Sequence, residues 1–388
     1  MNEEVQFRKA FSKWKIWVAV ALGLSIATYM IFRSLSQQNF IQVKKGTGTF
    51  SWVDTNKNKI VDSTNPLEFI SSLQGDYKVE TLSDTLQMIN WSYATFLWLL
   101  LALVFMVGRD FFYMLRIRIL TKKQLTWKQC FDVIMLWEFA SALSPGVVGG
   151  TAVAMFILKK EKIDLGRSTA IVMITALLDN LFYLFLIPVV FLFISEDQLF
   201  PLHFGASKSV AVIFWSGFGV KLLLCFFLFF SIFLYPKLAA KLLKSIFSLP
   251  LINKWQALAI QTGTELQIAS TELKKENFIF WFNAMFATFF SWTSRYLVIN
   301  CILNAFIDMT FLDNILLLGK QLVLWLLMMI SPTPGGSGVA EFAFGELLAT
   351  FSSSVILIAA LALIWRLISY FPYLFIGVIV LPKWLKKK

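Results

Sequence analysis

The sequence predicts an all-α integral membrane protein with about six full transmembrane helices and two oppositely oriented re-entrant hairpins. Of the 388 residues, 58% are hydrophobic and 40 are Phe. Basic residues are confined to a few segments, which indicates the side of the membrane on which each loop lies. Two apolar stretches are interrupted by similar Ser, Pro and Gly signatures, which is typical of helices that unwind at membrane depth.

The net charge of +12 is explained by membrane orientation. Of the 35 Lys and Arg residues, 24 lie in the N-terminal stretch and in 108–129, 159–167, 236–276 and 383–388. Under the positive-inside rule these are cytoplasmic anchors, whereas 196–208 and 307–314 carry almost no basic residue and lie outside. We therefore expect both termini in the cytoplasm, a bacterial-type cytoplasmic membrane and no nucleic-acid partner.

The predicted full crossings follow from this orientation, and the first is an uncleaved helix because no small-residue cleavage site follows it. They are 16–32, 88–107, 168–194, 209–235, 277–306 and 355–381. Between them, a single crossing at 130–158 would place two basic loops on opposite sides of the membrane. We therefore predict a hairpin over 130–158 that opens to the cytoplasm and a second over 315–350 that opens to the outside, as in inverted repeats.

The polar segment 33–87 is predicted to be an extracytoplasmic insert that folds as a small cap and offers a partner surface. It contains a weak calcium-loop pattern: Asp54, Asn56, Asn58 and Asp62. The sixth position of that loop is Lys59 rather than Gly and the twelfth is Asn65 rather than the bidentate Glu of an EF-hand, so a solvated turn is the favoured interpretation.

The segment 236–276 is predicted to be amphipathic and cytoplasmic. Lysines alternate there with leucines over 236–248, a pattern typical of a helix on the inner membrane surface. A simple connector that only touches lipid head groups is the alternative.

The two interruptions carry a family resemblance. They read SALSPGVVGGTAVAMFILKKEKIDLGRSTA over 141–170 and SPTPGGSGVAEFAF over 331–344. Together they resemble the transmembrane region of the lysylphosphatidylglycerol synthase/flippase family, over about 16–381. The resemblance implies re-entrant hairpins and transfer of a phospholipid with a cationic aminoacyl head group to the outer leaflet. Larger members append a soluble synthase domain, which this sequence lacks, so we expect a separately encoded synthase or transferase as partner.

Ionisable residues at membrane depth are the candidates for the head-group path, because each costs about 3 kcal/mol to insert. They are Glu138, Asp179, Lys221, Arg295, Lys320, Glu341 and Arg366. Helix-to-helix salt bridges without substrate contact are the alternative interpretation. Glu341 is expected to receive a cationic head group, and Arg366 or Arg295 to hold a lipid phosphate.

The interruptions themselves complete the predicted substrate path: Ser144, Pro145, Gly149, Gly150, Pro332, Pro334, Gly335, Gly336 and Gly338. Unwound backbone would expose amides that bind phosphate. The alternative is that these glycines only allow close helix packing.

Three functions compete at this stage. A lipid flippase acting on a polar-headed phospholipid is preferred. An intramembrane enzyme for lipid-linked substrates is disfavoured because the sequence shows no Cys/His pair or metal-ligand cluster, and the single His, His203, lies in a loop. A scaffold for a separate enzyme is the third. We expect membrane lipids as partners and no cofactor or enzymatic activity, and a homo-oligomer stays open.

Overall fold

The computed structural model describes residues 13–57, 61–144, 148–200, 207–249, 253, 256–329 and 331–386, and it is mostly helical. Within these residues, five helices are long and apolar enough to cross a membrane: Tyr93–Leu120, Arg167–Phe191, Val210–Leu234, Phe311–Met329 and Val355–Leu385. The prediction of a multi-pass helical membrane protein is confirmed. Helices also form over most of 16–32 and over 277–306 but do not join this set, so the number of crossings stays a prediction.

The helices are numbered in chain order: α1 Lys13–Ser36, α2 Leu82–Met88, α3 Tyr93–Leu120, α4 Trp127–Leu143, α5 Val148–Lys160, α6 Leu165–Phe191, α7 Glu196–Leu199, α8 Ser207–Phe229, α9 Pro236–Ile246, α10 Gln256–Leu273, α11 Phe278–Asn304, α12 Phe311–Met329, α13 Val339–Leu348, α14 Val355–Ser369 and α15 Phe371–Leu385. Several begin at a polar side chain that accepts a hydrogen bond from a free amide of the first turn: Ser92, Thr126, Asp164, Asn277 and Ser354.

The first long membrane helix corrects one predicted boundary. The sequence predicts a crossing that ends at residue 107 and a cytoplasmic basic loop from 108, but α3 continues without a break to Leu120. It packs along α11, where Gly108 lies against Ser294. Arg109 and Arg116, counted in the sequence as cytoplasmic anchors, are each 1% exposed inside the helix bundle. Both have carboxylate partners there, and these partners compensate the cost of burying the charges.

The insert contains a β-sheet that the all-α prediction did not include. Its strands are β1 Phe40–Gln42, β2 Gly48–Trp52, β3 Phe69–Gly75 and β4 Tyr77–Val79, antiparallel in the order β1-β4-β2-β3. Phe40 stacks on Phe69 with ring centroids 4.1 Å apart, and Phe50 and Tyr77 complete a small aromatic core. The strands are three to seven residues long, too short for alternation to stand out in the sequence.

The insert is fixed to the helical part through Glu80, which is 6% exposed. Ser354 donates its hydroxyl to this carboxylate, and the amide of Val355 donates to it at 3.2 Å. Within the insert, the hydroxyl of Thr85 on α2 donates to the same carboxylate oxygen, Glu80 Oε1, at 2.8 Å. The insert thus contacts the first residues of α14.

The amphipathic segment 236–276 forms two helices. A π-helical turn at Phe230–Leu234 separates α8 from α9. Helices α9 and α10 pack closely, because a Cβ atom on Gly263 would lie 2.9 Å from Ala240 Cα. Helix α10 packs in turn on α6, and Ser270 donates its hydroxyl to the carbonyl of Ile232.

At three places a break in the chain separates two consecutive helices that pack near each other. Helices α4 and α5 pack together on either side of the first signature, and α12 and α13 flank the second. The third interruption separates α14 from α15 at Tyr370, where φ is −122° and ψ is −57°, two residues before Pro372. The sequence predicted 355–381 as one crossing; the segment Val355–Leu385 is indeed long and apolar enough to cross, but it contains a break at Tyr370 that the sequence analysis did not predict.

Candidate functional site

The second interruption, 331–338, is held by its own hydrogen bonds. Gly335, Gly336 and Gly338 have φ values of 58°, 69° and 91°, which L-residues with a Cβ rarely adopt. The amide of Gly336 donates to the carbonyl of Thr333 at 3.1 Å, and that of Ser337 donates to Pro334 at 3.1 Å. These amides were expected to be free for phosphate, and in this conformation they are occupied.

An ion pair between α13 and α14 closes the same interruption. Arg366 Nε donates to Glu341 Oε1 at 2.6 Å, while Glu341 Oε2 accepts the amide of Gly338 at 2.6 Å. The guanidinium also donates to the carbonyl of Gly335 and to the hydroxyl of Ser337. Glu341 and Arg366 are each 3% exposed. The open receptor for a head group expected at these two residues is not present in this conformation, because each satisfies the other.

Tyr370 lies between the two signatures. A Cβ atom on Gly335 would fall 2.1 Å from Tyr370 Cε2, so the ring lies directly on the second interruption. The phenol hydroxyl donates to the carbonyl of Ala142, in the last turn of α4 and two residues before Ser144, at 3.4 Å. The guanidinium of Arg366 lies 4.4 Å from the ring centroid. All three helix breaks therefore meet around one aromatic side chain.

A charged cluster on α3 lies beside these breaks. Arg109 pairs with Asp110 at 2.9 Å and with Glu138 of α4 at 2.7 Å, and it donates to the hydroxyl of Tyr373 on α15. Tyr373 donates to Asp110 at 2.7 Å. The arginine is fully enclosed, but the side chains of Asp110 and Glu138 are 23% and 22% exposed.

A second pair extends the cluster across to α6. Arg116 lies 2.5 Å from Asp179 and donates to Thr288 of α11 at 3.2 Å. The indole of Trp292 donates to the same Asp179 oxygen at 2.7 Å. Asp179 is therefore oriented by two donors and is still 22% exposed.

The two pairs face a cavity of about 60 Å³. It is lined by Tyr113, Arg116, Ile117, Ile134, Trp137, Glu138, Thr175 and Asp179. The hydroxyl of Thr175 and Nε of Arg116 are buried without a hydrogen-bond partner among the described residues. Buried polar groups are normally satisfied, so these two atoms mark places for a water or a polar ligand group.

The surrounding charges make the site slightly acidic. Two arginines, Arg109 and Arg116, face three carboxylates: Asp110, Glu138 and Asp179. Aromatic rings of Tyr113 and Trp137 complete the lining. The guanidinium groups of Arg109 and Arg116 already lie over the Tyr113 ring, 4.7 and 4.5 Å from its centroid, so a positively charged group would gain mainly from the partly exposed carboxylates.

The sequence matches a family model for the lysylphosphatidylglycerol synthase TM region over residues 75–377, more than three quarters of the chain. The chain belongs to this family. It is similar to a UPF0104 membrane protein of Archaeoglobus fulgidus, with 24% identity over 290 residues, covering 73% of this chain and 85% of that protein. No solved structure matches the chain. The matched region of the synthase TM family contains the cavity and all three breaks, whereas most of the insert precedes it.

Lys221, Arg295 and Lys320, the other ionisable residues predicted at membrane depth, do not line the cavity. Lys221 donates to Asn180 at 3.0 Å and lies 4.3 Å from the ring centroid of Trp325. Arg295 is half-buried, 5.3 Å from the ring centroid of Trp292. Lys320 is fully buried, and its Nζ has no hydrogen-bond partner among the described residues.

At the first interruption the close-packing interpretation of the glycines is supported. A Cβ atom on Gly150 would lie 2.3 Å from the hydroxyl of Ser141, so α5 packs tightly on α4. Gly149 lies in α5, and Ser144 ends α4. Pro145 lies outside the described residues. In the second signature, Pro332 is exposed and Pro334 is half-buried.

The sequence-based site missed Arg109, Asp110 and Arg116, because the positive-inside count assigned the arginines to a loop. A signal was present: Arg109, Tyr113 and Arg116 are four and three residues apart. This spacing places the three side chains on one face of a helix. A basic loop would not be expected to show such a regular spacing.

The calcium-loop pattern has a different role in the structure. Asn56 donates its side-chain amide to the buried carboxylate of Glu68 at 2.7 Å, and Trp52 donates to the same carboxylate at 3.1 Å. Asp62 accepts from the hydroxyl of Thr64. Asn58 lies outside the described residues. Among the described residues no group of three or more His, Cys, Asp or Glu side chains is placed to hold a metal.

Proposed function

We propose that this protein moves a polar-headed phospholipid between the leaflets of the membrane, and that the cavity between α3, α4 and α6 receives the head group. The observation that carries the proposal is the pair of partly exposed carboxylates, Glu138 and Asp179, that face this cavity inside an apolar bundle. Each charged residue costs about 3 kcal/mol to insert at membrane depth. A bundle that needed only structural ion pairs would be expected to bury both partners fully, as it does with Glu341 and Arg366.

The helix lengths support two re-entrant hairpins. Helices α5 and α13 contain 13 and 10 residues, which corresponds to about 20 and 15 Å, whereas the hydrocarbon core is about 30 Å thick. Neither helix is long enough to cross alone. We infer that each returns its chain to the side from which the preceding helix entered.

The contacts at the helix ends support opposite orientations for the two hairpins. Gln129 at the start of α4 donates to Glu161 just after α5 at 2.8 Å, and Trp384 at the end of α15 donates to Glu161. The second hairpin ends just before Ser354, which contacts Glu80 of the insert. We place the side of the protein that carries Glu161 in the cytoplasm, together with both termini, because Lys383 and Lys386 flank its partner Trp384.

The head-group class follows from the lining. The two carboxylates suit an ammonium group, while Arg116 Nε and the Thr175 hydroxyl suit a phosphate or hydroxyl of the same lipid. An aminoacylated phosphatidylglycerol carries both, and the family description contains this lipid. We propose that a separately encoded enzyme makes the lipid and that this chain catalyses no chemical step itself.

The test is leaflet exchange in proteoliposomes with a panel of labelled lipids: phosphatidylglycerol, phosphatidylethanolamine, phosphatidylcholine and lysylphosphatidylglycerol. Wild-type protein is compared with Asp179→Asn and Glu138→Gln. Glu272→Gln is the matched control, because it removes a carboxylate of α10 that pairs at the surface with Lys275, just beyond the helix. We expect head-group-selective exchange that falls at least about ten-fold in the two cavity variants and is unchanged in the control.

Two results would overturn the proposal. Folded wild-type protein that exchanges none of these lipids would favour the scaffold or enzyme alternatives. Exchange that is equal for all head groups and insensitive to Asp179→Asn would leave the cavity without a role.

A further inference from the structure

Helix α9 carries two exposed stripes of different chemistry. With about 100° of rotation per residue, one sector of the helix carries three exposed lysines: Lys237, Lys241 and Lys244. The adjacent sector carries three exposed apolar side chains: Leu238 (52%), Leu242 (47%) and Ile246 (49%). Each stripe falls within about 80° of the helix circumference.

The third sector of α9 is occupied by protein. Ala240 lies against Gly263 of α10, and any side chain at position 263 would collide with it. Leu243 is half-buried on the same side of α9. Since α10 is itself packed on α6, α9 cannot rotate to bury its exposed leucines. The two stripes are a fixed outer surface of the described chain.

The apolar stripe continues the lipid-facing surface of the bundle. The turn that leads into α9 exposes Phe230 (45%), Leu234 (48%) and Tyr235 (60%) at the end of α8, a candidate membrane-spanning helix. Exposed Tyr side chains at such an end are typical of the membrane interface. Leu249 (55% exposed) extends the stripe beyond α9. The helix therefore begins at interface depth with its leucines on the side where lipid chains are.

The charge of the other stripe selects the lipid. Residues 236–249 contain three lysines and no acidic residue, so the stripe is purely cationic. We propose that α9 is a binding surface for anionic lipids of the cytoplasmic leaflet, distinct from the head-group cavity, with its leucines in the acyl-chain boundary and its lysines on the lipid phosphates. This assignment uses the orientation inferred above, in which the α8–α9 connection is cytoplasmic.

The expected size of the effect is set by the lysines. A basic residue near an anionic membrane surface is attracted to that surface by about five-fold, and salt reduces the attraction. Three lysines in one stripe should therefore enrich anionic lipid several-fold around α9, with loss of most of that enrichment when all three are neutralised.

The experiment measures this enrichment directly in lipid nanodiscs. A fluorophore is attached at Ser245→Cys, an exposed position between the two stripes, while Cys130, Cys225 and Cys301 are buried. Quenching by spin-labelled phosphatidylglycerol is compared with quenching by spin-labelled phosphatidylcholine at equal mole fraction. We expect phosphatidylglycerol to quench several-fold more strongly, and the difference to vanish in K237Q/K241Q/K244Q.

The matched control is K123Q/K128Q/K274Q, which removes three exposed lysines outside α9 and should keep the preference. Equal quenching by both lipids in the unmodified stripe would overturn the proposal. So would a preference that survives K237Q/K241Q/K244Q, or a label shielded from both lipids, which would mean that water or another protein surface covers α9. None of these readouts depends on leaflet exchange, so the proposal can fail or hold independently of the transport function.

Discussion

Replacing Glu341 by Gln is expected to reduce the free energy of unfolding by about 3–5 kcal/mol, the range for breaking a buried ion pair. Both oxygens of Glu341 accept hydrogen bonds, one from Arg366 Nε and one from the amide of Gly338, each at 2.6 Å. A Gln side chain has one acceptor oxygen and one donor amide. In either orientation its NH₂ group would face another donor, and Arg366 would remain 3% exposed without a counter-ion.

The double variant Glu341→Gln/Arg366→Met separates this mechanism from a general loss of packing. It removes the stranded charge and replaces the guanidinium by an apolar side chain, so most of the lost stability should return. The free energy of unfolding can be measured by steric trapping in bicelles, with Glu272→Gln as a surface control expected to stay within about 0.5 kcal/mol. The reasoning would be refuted by a single variant within about 1 kcal/mol of the wild type, or by a double variant no more stable than the single one.

Three further outcomes follow from particular contacts. Gly335→Ala should destabilise by more than about 1 kcal/mol in thermal unfolding, because its φ is 58° and its Cβ would lie 2.1 Å from the Tyr370 ring; Gly345→Ala in α13, which meets nothing within 4 Å, should be neutral or stabilising. Glu80→Gln should weaken the contact of the insert with α14 by about 1–3 kcal/mol and speed limited proteolysis within 40–79, and an unchanged cleavage rate would exclude the contact as a restraint. At Glu276, outside the membrane, burial raises the pKa, but hydrogen bonds from Arg167 and Lys122 outweigh it and hold the pKa below its usual range. Its stabilisation should therefore be complete above about pH 5 and lost as the pH falls through the lowered pKa, and Glu276→Gln should flatten this part of a Tm-against-pH curve.

Much of the fold could be predicted from the composition and from local residue patterns. The apolar runs predicted a multi-pass helical membrane protein. The Pro and Gly signatures marked two of the three breaks, because Pro lacks a backbone donor and Gly is a poor helix former wherever they occur. The break at Tyr370 was missed because one proline, Pro372, can also sit inside a kinked helix. The sheet of the insert was missed because its short strands depend on pairing between segments about 20 to 40 residues apart.

The site was only partly predictable for a related reason. Glu341 and Arg366 could be chosen because each stands alone in an apolar run, but their mutual pairing depends on two helices meeting. Arg109 and Arg116 were assigned to a loop, since counting charges along the chain does not distinguish a basic loop from a helix face with partners elsewhere. Their partners, Glu138 and Asp179, lie 29 and 63 residues away in sequence, separations at which local patterns carry no information.

The break at Tyr370 lies between two groups of contacts, one made by α14 and one made by α15. On one side of Tyr370, α14 holds the second interruption through Arg366. On the other side, α15 packs on α4, since Gly377 lies against Phe139 so closely that a Cβ would fall 2.2 Å from the ring. Tyr373 connects the same helix to the Arg109 cluster. Tyr370 itself contacts Ala142 and Gly335, so the break between α14 and α15 is also the point where the two interrupted regions are joined.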